Sequence, residues 1–162
     1  MRLYGVTGRK NQGKTTLVER LVAHFSARGL RVSTVKHTHH GVDLEVPGTD
    51  THRHRQAGAG EVVLASDARL AFLHELRGEA WDLPRILAAM QPADLVLVEG
   101  YKSAPHRKIE VWRGASEPPL ALRNPTIRAL AGDGSAAPAG LPVFGADDVA
   151  AIAAFILRDA GE

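Results

Sequence analysis

The chain has 162 residues, 44% of them hydrophobic, with 20 lysines and arginines against 18 aspartates and glutamates and no cysteine. That length predicts one domain, residues 1–162, with a core of its own, and the lack of cysteine rules out disulfides, thiolate metal sites and cysteine nucleophiles. Charge is dispersed, unlike a nucleic-acid footprint, and with neither a leader pattern nor an apolar run of roughly 20 residues, a soluble, cytoplasmic protein with no membrane or nucleic-acid partner is expected.

Leu3-Tyr4-Gly5-Val6-Thr7 reads as a short buried strand. It leads into Gly8-Arg9-Lys10-Asn11-Gln12-Gly13-Lys14-Thr15, which satisfies G-x-x-x-x-G-K-[ST] at every fixed position. Leu17, Val18, Leu21, Val22 and Phe25 then recur at helical spacing up to Arg28-Gly29, a basic last turn with a glycine stop. Residues 30–36 are β-branched, with an apolar alternation at Leu30, Val32 and Thr34, and predict a second strand. A helix joins the two strands, so they should run parallel.

From His37 to Gly48 the chain is polar and punctuated by Gly41 and Pro47, which predicts a loop at the carboxyl end of strand two, the edge where open α/β sheets bind ligands. A short helix is predicted from Thr49 or Asp50 to about Ala57, capped by Asp50 or Thr51. Residues 61–65 and 70–73 read as a hairpin turning at 66–69. The next helix begins at Trp81-Asp82-Leu83-Pro84 with Asp82 as cap, turns Leu83, Ile86, Leu87 and Met90 inward, and ends before Pro92. Residues 94–100 hold four consecutive apolar residues closed by Glu99 and Gly100, the pattern of a parallel strand buried on both faces. Residues 108–113 alternate and read as a strand, 127–131 as another, and 141–144 as a short edge strand where Pro142 is allowed. Residues 132–140 form a small-residue loop. A closing helix is capped at Asp147, with Val149, Ile152 and Ile156 on one face.

Polyphosphate is a dense negative charge, and glycine lets the backbone approach it. Gly8 and Gly13 tolerate positive φ, so the N–H groups of the loop, from Gly8 through Arg9, Lys10, Asn11 and Gln12 to Thr16, can turn inward as an anion nest. Lys14 would reach the β- and γ-phosphates and Thr15 would offer its hydroxyl to Mg²⁺. Glu99, ending an apolar strand, stands where a Walker B acid lies beside that ion or its water. His37, His39 and His40 follow strand two. They suit contacts to a phosphorylated ligand or a γ-phosphate switch better than a transition-metal site, which has little support without cysteine or H-E-x-x-H. Asp50 could orient water or a Mg²⁺ ligand, Arg53 and Lys102 could grip phosphate, and Arg55 reads as a solvated helix arginine. No Asn-Lys-x-Asp sequence is present to name a base; Asp133 could meet a base edge or serve its own turn.

Taken in order, the loop running into Thr16-Leu17, Val35-Lys36-His37-x-His39-His40, Asp50-Thr51-x-Arg53, Val98-Glu99-Gly100-Tyr101-Lys102 and Lys108-Ile109-Glu110 resemble the molybdopterin-guanine dinucleotide biosynthesis protein B family, MobB. The resemblance implies an α/β, three-layer P-loop NTPase fold related to the signal-recognition and MinD-like class, with a mostly parallel central sheet and a hairpin insertion. It implies a GTP-binding protein, usually a homodimer, with weak Mg²⁺-dependent GTPase activity. Such a protein assists the molybdenum cofactor guanylyltransferase that joins GMP to the molybdenum-bearing pterin, and the molybdopterin itself is a possible ligand. Carried over, Gly8 to Thr16 hold GTP and Mg²⁺ and Glu99 is the Walker B acid. Thr49 stands where the pattern leads one to expect lysine, and Arg9 where MinD-type relatives keep a lysine that crosses the dimer. Two other readings compete: a P-loop kinase of a small metabolite, with Arg53 and Arg55 as phosphate clamps, and a metal chaperone built on the histidines.

Overall fold

The computed structural model describes residues 1–38, 41, 43–114 and 117–161. In chain order it forms β1 (Arg2–Thr7), α1 (Lys14–Ser26), β2 (Val32–Lys36), α2 (Asp50–Gln56), β3 (Glu61–Ala65), β4 (Leu70–His74), α3 (Leu83–Ala89), β5 (Leu95–Glu99), β6 (Lys108–Trp112), a 3-10 turn (Leu120–Leu122), β7 (Ile127–Gly132), β8 (Val143–Phe144) and α4 (Val149–Asp159). Contacts group these into two compact units, Met1–Thr38 with Pro92–Glu162, and His39–Gln91. No helix among the described residues is long and apolar enough to cross a membrane.

The first unit is an α/β layer structure on a six-stranded sheet in the order β2-β5-β1-β6-β7-β8. Every pairing in it is parallel. Parallel neighbours need crossover connections, and residues that alternate along each strand choose the face. Tyr4 and Val6 of β1, Leu95 and Leu97 of β5, Ile109 and Val111 of β6, and Ala129 and Ala131 of β7 form one core with Leu17, Val18, Leu21 and Phe25 of α1 and Ile152, Ala153, Phe155 and Ile156 of α4. Beside this core, Asp159 at the end of α4 accepts the Tyr4 hydroxyl at 2.8 Å and pairs with Arg107 at 3.1 Å. Burial pushes the Tyr4 phenol far above its ordinary pKa, with the Asp159 hydrogen bond adding to the shift.

Three local expectations are corrected. Leu30 and Val32 pack against the core as the alternation implies, but Thr34, its last member, is exposed, and Val35 on the other face is the buried residue of β2. The α4 cap is Asp148, whose side chain accepts the Ala151 N–H at 3.1 Å; Asp147 instead pairs with Arg20. The alternation in β6 does not turn its polar residues outward, and all five residues are buried. Lys108 donates to the carbonyls of Ala104 and His106 and to the Thr126 hydroxyl at 2.9 Å, and the Glu110 carboxylate accepts the N–H groups of Leu120 at 2.9 Å and Ala121 at 2.8 Å. Loop backbone thus replaces water around both charges.

In the second unit β3 and β4 pair antiparallel, from Glu61↔His74 to Ala65↔Leu70, as a separate two-stranded sheet. The turn is closed by Ser66 and Arg69 through backbone and hydroxyl bonds. Asp82 caps α3 through the Arg85 N–H at 2.9 Å, as expected. The cap position of α2 is Thr49, one residue ahead of the expected Asp50 or Thr51, and its side chain bonds back to Val46 O instead of capping. Arg55 is not a solvated helix arginine. Its guanidinium meets Asp43 at 2.8 Å, Glu45 at 2.5 Å and Glu75 at 3.4 Å, and its side chain is only 18% exposed.

Candidate functional site

The loop between β1 and α1 has the backbone that the glycines foretold. Gly8, Asn11 and Gly13 have φ of 140°, 62° and 91°. A Cβ on Gly8 would lie 2.5 Å from the Val111 carbonyl oxygen of β6, so β6 packs against the loop at a place where only glycine fits. Gly13 occupies the N-cap of α1 and supplies no side-chain cap. The N–H groups of the first turn are therefore left for an incoming anion, on the positive end of the helix dipole. Gln12 Oε1 accepts the Arg113 N–H at 2.7 Å, which ties the loop to the end of β6.

Glu99 at the carboxyl end of β5 reaches the loop from the neighbouring strand. Its carboxylate oxygens accept the Thr15 hydroxyl at 3.0 and 3.3 Å, joining residues 84 positions apart in the sequence. Lys14 donates from Nζ to Arg9 O at 2.5 Å. Burial holds the Lys14 ammonium below its ordinary pKa, with Lys102 and Lys36 pushing the same way and Glu99 opposing. Arg9 is held within the chain by Glu117 at 2.5 Å and by Pro118 O at 3.3 Å.

The family model of MobB, molybdopterin guanine dinucleotide synthesis protein B, matches residues 3–133, a span that includes this strand, loop and helix and Glu99. The chain belongs to the MobB family. It is 40% identical over 124 residues to the molybdopterin-guanine dinucleotide biosynthesis adapter protein of Haemophilus influenzae, covering 73% of this chain and 67% of that protein. To the Escherichia coli protein of the same name it is 40% identical over 114 residues, covering 68% and 65%. The aligned stretches thus span about two thirds of those relatives' own length. The solved structure of Bacillus subtilis MobB covers 100% of both chains with a TM-score of 0.80 at 28% identity. That of the MobB homolog from Bacillus stearothermophilus covers 99% of both with a TM-score of 0.74 at 31% identity. The fold is that of the MobB P-loop proteins.

The other residues singled out in the sequence fall into three groups. His37 and Lys102 lie at the same sheet edge as Glu99. His37 donates its N–H to Glu99 O at 2.9 Å, and its ring lies 4.3 Å from that of Tyr101. Tyr101, just past the Glu99-Gly100 turn, has φ 44°, a strained value for a non-glycine residue. The Lys102 carbonyl accepts from Asn124 Nδ2 at 2.9 Å, and Asn124 in turn binds Thr126, which also accepts from buried Lys108. The loop that carries Lys102 is fastened from β6 and from the approach to β7. Burial lowers Lys108 to a pKa of about 8, so with three acceptors around it the ammonium stays charged at neutral pH.

Asp50 and Arg53 belong to the second unit. With Gly48, His52, His54, Gln56 and Ala57 they line an open cleft of about 720 Å³ on α2. His39 and His40 lie outside the described residues. The sequence places Lys36 in a basic, histidine-rich stretch suited to an anionic ligand; in the structure it ends β2 as Glu99 ends β5. Lys36↔Glu99 is a register pair, and the ammonium lies 3.7 Å from Glu99 Oε1. Arg113, unremarked in the sequence, lays its guanidinium over Gly13, where an added Cβ would meet it at 3.1 Å.

The residues present fit a Mg²⁺-nucleotide. The positive φ at Gly8, Asn11 and Gly13 gives the loop the backbone of an anion nest, and Thr15 with Glu99 supplies the hard oxygen donors such an ion takes.

Proposed function

We propose that the chain is a GTP-binding adapter of molybdopterin guanine dinucleotide biosynthesis. In this reading it works in the cytoplasm as a homodimer, hydrolyses GTP slowly and assists the guanylyltransferase that completes the dinucleotide. The observation that carries the nucleotide part is the Thr15 hydroxyl on the Glu99 carboxylate at 3.0 Å. The adapter part is supported by membership of the MobB family and by the adapter proteins among its relatives.

Gly8, Arg9, Lys10, Asn11, Gln12, Gly13 and Thr16 would hold phosphate mainly through backbone N–H groups, and Lys14 would exchange the Arg9 carbonyl for phosphate oxygen. Thr15 and Glu99 would hold Mg²⁺, which when bound neutralises charge on the phosphates. Asp50 is assigned the orientation of water, and His37, His39, His40, Arg53 and Lys102 contacts to phosphate or to the pterin. A metabolite kinase is the weaker reading, because Arg55, one of its two clamps, is already taken up by Asp43, Glu45 and Glu75.

Calorimetric titration with GTP and with ATP, each with Mg²⁺, tests the proposal on the wild type and Lys14→Ala. Selective GTP binding that is lost in Lys14→Ala is expected. ATP binding as tightly as GTP would overturn the guanine assignment, and fast transfer to an acceptor would favour the kinase.

A further inference from the structure

Glu99 has two neighbours that compete for it. Oε1 accepts the Thr15 hydroxyl at 3.0 Å and lies 3.7 Å from Lys36 Nζ. The second contact is set by the sheet: β2 and β5 run in register to Lys36↔Glu99, and the next N–H, that of His37, donates to Glu99 O at 2.9 Å. Glu99 is nearly covered, with 12% of its side chain exposed, whereas Lys36 is 63% exposed. The ammonium therefore stands on the solvent side of the carboxylate. Lys36 stands against Glu99, and Lys36, Lys102 and Glu99 all act on Lys14, so positive charge exceeds negative where Lys14 and Thr15 would hold the end of a phosphate chain. One carboxylate does not balance three ammonium groups, and such an excess of positive charge suits an anion of more than one charge.

We propose that Lys36 reads the terminal phosphate, so that the site prefers a nucleoside triphosphate to a diphosphate. This rests on the nucleotide-binding reading above. With Thr15 and Glu99 holding Mg²⁺, the carboxylate would be shared and Lys36 would be free to turn to a γ-phosphate, the acceptor that suits an exposed ammonium. A diphosphate lacks that group. Lys36 also precedes His37 and Thr38, the last residues of the first unit before the chain enters the second. Loss of the terminal phosphate is thus felt where the chain leaves the sheet.

The test is calorimetric titration of the full chain, with Mg²⁺, using non-hydrolysable GTP and ATP analogues and using GDP and ADP, on the wild type, Lys36→Met, Lys36→Gln and Lys36→Arg. Both neutral variants should weaken the preferred triphosphate by roughly tenfold, the scale of one charged hydrogen bond, and leave its diphosphate within about twofold. Lys36→Arg should restore most of the preference. Neutral variants that leave triphosphate binding unchanged, or weaken triphosphate and diphosphate equally, overturn the role of Lys36 alone. A wild type that binds no nucleotide overturns the underlying reading and this inference with it.

Discussion

Leu97 and Phe72 are both apolar residues in the middle of a strand, yet Leu97 has no exposed surface and Phe72 is 62% exposed. Leu97 sits on β5, with β1 and β2 paired on either side and a core shared with α1 and α4. Phe72 sits on β4, half of a two-stranded ribbon whose Val63, Leu64 and Leu70 are also exposed. A ribbon of two strands cannot bury both faces, and α2 contributes no buried residue. The second unit relies instead on directed polar contacts, with Arg55 joining Asp43 and Glu45 of one loop to Glu75 just past β4. Burial dominates the first unit, whereas the second, with Val62 and Leu83 as its buried apolar residues among those described, leans more on charge pairs.

The largest effect that would test this contrast is Leu97→Ala, expected to cost about 2–5 kcal/mol through lost burial and the cavity left behind. Phe72→Ser should stay within about 0.5 kcal/mol, both read from denaturant midpoints. Equal costs would break the comparison. Next, Arg55→Ala leaves Glu45, whose side chain is 6% exposed, facing Asp43 and Glu75 with no cation between them. Amide exchange in α2 and β4 should then accelerate severalfold, with little change in β1 and β5; uniform acceleration would show that the two units unfold as one.

The third prediction concerns pH in the first unit. Burial, with Lys108 adding repulsion, lowers the His106 imidazole to a pKa of about 4, against 6.5 when free. Between those values the unfolded chain binds a proton that the folded chain refuses, so stability should fall as pH drops from about 6.5 to 4. His106→Asn should flatten that part of the profile, and an unchanged slope would assign it elsewhere. The smallest effect separates two adjacent aspartates. Asp148→Ala removes the α4 cap and should cost about 1 kcal/mol, and Asp147→Ala should cost less.

What could be read in the sequence followed from how local each signal was. β5 was legible because four consecutive apolar residues need burial on both faces, and the Thr15–Glu99 meeting because each residue carries its own motif. The caps slipped by one residue where equally good candidates stand side by side, as Asp147 and Asp148 do. Lys108 and Glu110 misled because alternation normally turns charge outward, and their partners, the loop at 104–107 and the turn at 120–122, cannot be inferred from strand spacing. Arg55 was misread because its three carboxylates lie 10 to 20 residues away along the chain. Lys36 needed the register of β2 on β5, which only tertiary pairing supplies.

Residues 39–91 have one more consequence, which follows from where they are attached. They leave the sheet after β2 and return at β5, its hydrogen-bonded parallel neighbour, so they do the work that a single crossover helix does between β1 and β2. Parallel strands of five residues oblige any such connection to travel back about 17 Å, the length of the strand, and the order of the sheet asks nothing more of it. The topology of the sheet thus constrains this segment by its span alone, and whatever else its residues do is set by the side chains it carries.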